Sequence, residues 1–106
     1  MEARNETPRE KDPRFVAAED LTVVNTDQGG VIYRPSDAMY FGLNPTASFI
    51  WSLISAPRSR KEICEGVCRK FAVDCDRAER DVDGFLRSML ANNLVREVEV
   101  ANDAAS

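Results

Sequence analysis

The stretch Met39–Trp51, MYFGLNPTASFIW, opens as a strand and closes as a helix. Its first residues alternate, with Met39, Phe41 and Leu43 on one face and Ala38, Tyr40 and Gly42 on the other. Asn44-Pro45 then starts a helix, because an Asn side chain caps free amides and Pro at the first helical position has no amide to leave unpaired. Ala47, Ile50, Trp51 and Ile54 follow at helical spacing, and Pro57 stops the helix near Ser55. This junction sets a short strand directly on a capped helix, and the rest of the chain is read outward from it.

Upstream, Leu21–Val24 and Val31–Tyr33 are β-branched and aromatic runs separated by NTDQGG, which predicts a hairpin. RPSD at 34–37 is a second turn, so Ala38–Leu43 completes a three-stranded antiparallel meander. Downstream, Ser59 and Glu62 form a capping box for a second helix with the stripe Ile63, Val67 and Phe71. Asp76 and Glu79 are placed to cap a third helix, whose apolar face is Ala78, Val82, Phe85, Leu86, Met89 and Leu90. VREVEV at 95–100 alternates as a final edge strand. The expected fold is α+β, a three-stranded antiparallel sheet followed by three α-helices. Residues 1–13 are charged and hold two prolines, so they read as a disordered tail; the domain spans 14–100, and 101–106 is a flexible end.

At 106 residues the chain is one small domain with a modest core. Net charge is −4 and there is no long run of Lys or Arg, which argues against a nucleic-acid partner. There is no histidine, hence neither the commonest general base nor the commonest metal ligand. The chain carries no signal peptide and no long apolar stretch, which predicts a cytoplasmic protein with reduced thiols and no membrane contact.

Cys64 and Cys68 share one helical face, but with only Cys75 beyond them they read as small packing groups and not as metal ligands. Trp51 reads as core. Gly84 stands inside the third helix, where it costs about 1 kcal/mol relative to alanine. Either it is tolerated near solvent, or it makes room along the strip Arg77, Asp81, Gly84 and Ser88 beside Phe85. The last strand of the meander is an edge, a template for another chain, and edge and strip together can form a groove.

The stretch GGVIYRPSDAMYFGLNPTASFIWSLI followed by SRKEICEGVCRKFAVDCDRAERDVDGFLRSMLANNLV resembles the PqqD-like family, the RiPP recognition elements, over about Phe15 to Arg96. Its specific features are Leu43-Asn44 ahead of a helix carrying Trp51, then KEICEGV, FAVD, and Asp81-Val82 leading to FLRSMLANNLV. The resemblance implies a winged-helix-like domain that binds the leader of a ribosomally made precursor peptide, without catalysis or cofactor. It implies backbone pairing along Ala38, Met39, Tyr40, Phe41, Gly42 and Leu43, and a groove wall of Arg77, Asp81, Gly84, Phe85 and Ser88. The implied partners are the precursor leader and a separate modifying enzyme, either a radical-SAM enzyme or a leader peptidase and cyclase of the lasso-peptide kind. The open edge also permits a homodimer. Two competing functions are a winged-helix DNA-binding regulator reading through 76–91, and an enzyme with Cys64 or Cys75 as nucleophile.

Overall fold

The computed structural model describes residues 11–101. The order is β1 (Lys11–Ala17), β2 (Thr22–Thr26), β3 (Gly29–Arg34), β4 (Met39–Leu43), α1 (Pro45–Leu53), β5 (Arg58–Ser59), α2 (Arg60–Phe71), α3 (Cys75–Ala91) and β6 (Val95–Ala101). The expected meander is present as an antiparallel sheet in the order β2-β3-β4, with Ile32 opposite Phe41 and Tyr33 opposite Tyr40. Ala38 is not part of it: at φ 57 it occupies the left-handed region in the turn, and β4 begins at Met39. The predicted strand boundary is corrected by that one residue.

A second sheet, β5-β1-β6, was only half anticipated. β6 is the expected C-terminal edge strand, but its partner β1 begins inside the stretch assigned to the charged tail. Lys11–Pro13 therefore pair with Glu99–Ala101, and the tail boundary at residue 13 and the domain end at residue 100 both fall within this ribbon. Residues 1–10 and 102–106 lie outside the described residues. Pro13 lies opposite Glu99 of β6, one residue before the part of β1 that β5 reaches at Arg14 and Phe15.

The three helices pack their apolar stripes together. Ile50 and Trp51 from α1 with its C-cap Ile54, Ile63, Cys64 and Val67 from α2, and Ala78, Val82, Phe85, Leu86 and Met89 from α3 are all buried, closed below by Ile32 and Leu43 of the meander. Trp51 is core, as its spacing implied. The capping box of α2 forms in both directions, Glu62 N–H donating to Ser59 Oγ and Ser59 N–H to Glu62 Oε1. α3 starts one residue before the predicted cap. Asp74 accepts from Arg77 N–H at 2.8 Å, and Asp76 sits in the first turn, where its charge favours the helix dipole. At the other end Asn93 is left-handed, and the Asn93 and Leu94 N–H groups donate back to the Leu90 and Met89 carbonyls, a Schellman closure that drops Leu94 into the core.

Two polar ties fix the layers. Asn25 on β2 and Ser48 on α1 hydrogen-bond reciprocally, Asn25 Nδ2 donating to the Ser48 carbonyl and Ser48 Oγ to Asn25 Oδ1. Arg60 at the start of α2 grips Asp83 of α3 with two hydrogen bonds of 2.6 and 3.0 Å. That grip, donated by the guanidinium, holds the Asp83 carboxyl below the usual carboxylate range. A depressed folded pKa stabilises at pH values above the unfolded carboxyl, near 4, and the contribution drains as pH falls through the lower folded value.

The Asp83→Asn variant is accordingly expected to lose stability less steeply than the parent as pH falls below about 4, in a urea titration repeated across acidic pH; the pair is half exposed, so its effect at neutral pH is small. A steric expectation concerns the hairpin. A Cβ on Gly30 would lie 2.3 Å from the Val24 carbonyl oxygen, whereas one on Gly42 meets nothing within 4 Å. Gly30→Ala should therefore cost about 2 kcal/mol or more, and Gly42→Ala under about 0.5 kcal/mol, by denaturant midpoints.

Candidate functional site

β4 has β3 on one side and no strand on the other, so its outer backbone is a free edge among the described residues. It is unusually uncovered for an apolar strand: Met39 is 46% and Tyr40 69% exposed, while Phe41 is half-buried and Leu43 is in the core. The edge is held from both ends. At its start, Arg34, the cross-strand partner of Met39, donates to both Asp37 carboxylate oxygens at 2.9 Å and lies over the Phe41 ring at 5.1 Å. The same guanidinium donates to the Asn92 carbonyl at the C-terminus of α3, where a positive charge is favoured. At its end, Leu43 is buried and Asn44 caps α1 by accepting from Ala47 N–H at 2.8 Å. β4 is thus anchored to α3 through Arg34 and to α1 through Asn44.

Beyond Asn44 opens a cleft of about 470 Å³ between the first turns of α1 and the exposed flank of α3. All five residues expected to form a groove wall, Arg77, Asp81, Gly84, Phe85 and Ser88, line it. Their grouping follows from helical geometry, since positions three, four and seven apart share a face. A Cβ on Gly84 would meet nothing within 4 Å, so among the described residues no neighbour requires the glycine, and the space beside it opens on the cleft. Arg77 and Asp81 pair loosely across one turn at 3.9 Å.

The opposite wall was not foreseen. It consists of Asn44, Thr46, Ala47 and Ile50, and α3 adds Arg80 and Met89. Arg80 was within reach of the periodicity argument, three residues after Arg77 and four before Gly84. The α1 residues were not, because they come from another element and only the packing angle of the two helices brings them opposite the strip.

A larger cleft, about 700 Å³, lies between α2 and α3 and is lined by Arg60, Lys61, Cys64, Glu65, Cys68, Arg69, Cys75 and Glu79. Size favours it, but its lining comes wholly from α2 and α3 and β4 does not reach it. The smaller cleft continues the free edge of β4 and is the better candidate for a peptide site. Burial pushes the Cys64 thiol above its ordinary value, the direction that leaves a thiol unreactive. Among the described residues, no three His, Cys, Asp or Glu side chains converge to hold a metal ion, and no helix is long and apolar enough to cross a membrane.

No curated protein sequence matches the chain. Among solved structures, TbiB1 in complex with the TbiA(beta) leader peptide is similar at 28% identity and a TM-score of 0.68, covering 76% of this chain and 94% of that one. Lasso peptide synthetase B1, complexed with the leader peptide, is similar in fold at 24% identity and a TM-score of 0.66, covering 77% and 96%. The α+β, winged-helix-like architecture expected from the sequence is the fold of these proteins. The family model described as coenzyme PQQ synthesis protein D (PqqD) matches residues 29–95, from the second strand of the meander to the first residue of β6. With most of its length under that match, the chain belongs to the PqqD family.

Proposed function

We propose that this protein is a non-catalytic recognition module that binds the leader segment of a ribosomally made precursor peptide as an added strand on β4 and presents the precursor to a separate modifying enzyme. The observation that carries the reading is the continuity of two features: a free strand edge at Met39–Leu43 and a cleft at its end whose far wall is the Arg77–Ser88 strip with an unfilled place at Gly84. Support comes from the leader peptide bound by TbiB1, at 28% identity.

Main-chain pairing along Met39, Tyr40, Phe41, Gly42 and Leu43 supplies sequence-independent affinity, and alternate leader side chains reach the cleft. Ala38, placed in the turn, falls outside the pairing stretch. The apolar end of the cleft at Ile50, Phe85 and Met89 suits one aliphatic or aromatic leader anchor. A micromolar complex needs about 8 kcal/mol, within reach of five paired residues and one such anchor. The enzyme served is either a radical-SAM enzyme or a leader peptidase and cyclase, and the module itself needs no cofactor for this role.

The test is fluorescence anisotropy of a labelled leader, taken from a small reading frame beside the gene, titrated with protein shown by light scattering to be monomeric, so that an edge-to-edge dimer does not mask β4. Saturable binding is expected, weakened at least tenfold by Gly84→Arg with a melting temperature no lower than the parent's, and by Phe41→Asp. Absence of binding to every neighbouring leader, together with salt-sensitive binding of labelled duplex DNA, would overturn the reading in favour of an acidic regulator. Gly84→Ala separates stability from function: it should stabilise the free domain by about 0.5–1 kcal/mol, because alanine is the better helix former and nothing opposes its methyl, while loosening the leader.

A further inference from the structure

The three thiols are not equivalent. Cys64 is buried in the core, Cys68 near the end of α2 is half-buried, and Cys75 at the first position of α3 is exposed. Cys68 donates its thiol proton to the Val73 carbonyl at 2.9 Å and faces Cys75 with the two sulfurs 3.9 Å apart. An exposed thiol has no packing role to explain it, and this one stands opposite a second thiol across the short connector Ala72–Asp74. A disulfide needs a sulfur separation of about 2.05 Å, so closure asks for a movement of roughly 2 Å shared by two side chains. The pair opens on the larger cleft between α2 and α3, where Arg60, Lys61 and Arg69 stand among Glu65 and Glu79. The Cys68 hydrogen bond and the neighbouring acids hold the Cys75 thiol above its ordinary value, so the exchange is run at mildly alkaline pH, where the thiolate forms.

The geometry points to Cys68 and Cys75 as a reversible redox pair that closes into a disulfide staple between α2 and α3, with a low-molecular-weight disulfide as oxidant. The step balances as thiol–disulfide exchange. The Cys75 thiolate attacks one sulfur of the small disulfide, forms a mixed disulfide and releases the first small thiolate. Cys68, giving up the proton it shared with the Val73 carbonyl, then attacks the Cys75 sulfur and expels the second. Two cysteine sulfurs are oxidised, the small disulfide is reduced to two thiols, and the two protons lost by the cysteines go to those thiols. The staple closes a short loop over the connector that carries Asp74, the cap of α3, and so restrains the unfolded chain at the point where α3 begins.

The experiment equilibrates the reduced full chain with mixtures of oxidised and reduced glutathione, alkylates the remaining thiols, and maps the products by mass spectrometry beside a melting curve. Expected is a single intramolecular Cys68–Cys75 link with Cys64 alkylated, a melting temperature raised by about 5 °C or more, and return to the starting values with dithiothreitol. Cys75→Ser, a change at an exposed position, should melt with the reduced parent and form no staple, while Cys64→Ser should still form it. Glutathione retained on Cys75 without closure, a link that includes Cys64, a link between two chains, or two thiols that both stay alkylatable would each overturn the inference. None of these readouts depends on leader binding, so the outcome is independent of the peptide reading.

Discussion

The hydrogen bond from Ala47 N–H to the Asn44 side chain is the constraint from which the site is built. It lets a helix start one residue after a strand ends, and Pro45 leaves no alternative path, because its fixed φ already belongs to the helix. With Leu43 buried immediately before it, β4 cannot swing away from α1. A sheet edge that would otherwise be a mobile hairpin arm is fixed to the helical layer, and ordering costs on binding fall mainly on the peptide.

The opposite anchor is electrostatic and lies far away in sequence. Arg34 reaches Asp37, the Phe41 ring and the last carbonyl of α3 together, so one guanidinium sets the β3–β4 turn against the helix that walls the cleft. The Arg60–Asp83 pair holds α3 to α2 on the other side. Neither contact is worth much as an exposed ion pair. Their significance is positional, since both fix the rotation of α3 about its axis, and that rotation decides whether Gly84 and Ser88 face the cleft or the solvent.

Much of this was legible because the signals are local. The alternation of Met39–Leu43, the Asn44-Pro45 cap, the Ser59–Glu62 box and the strip from Arg77 to Ser88 each involve residues within a few positions of one another. What escaped was non-local or ambiguous. Lys11–Ala17 is charged and contains Pro13, poor credentials for a strand, yet the alternating VREVEV segment needs a partner and finds it there. Asp74 and Asp76 are both competent caps, and the earlier one prevails with Cys75 as the first helical residue. The left-handed Ala38 has no glycine-like signature at all. The α1 side of the cleft depends on how two helices cross, which no periodicity reports.

The antiparallel sense of the meander has a directional consequence. Every pairing in the sheet runs antiparallel, and a strand added in the same sense beside β4 would enter near Leu43 and leave near Met39. Its upstream end would lie over the cleft at Asn44, and its downstream end would emerge at the Arg34–Asp37 turn beside the C-terminus of α3. The polarity of a threaded peptide would then be dictated by the domain, and whatever follows the leader would always be offered from the same corner.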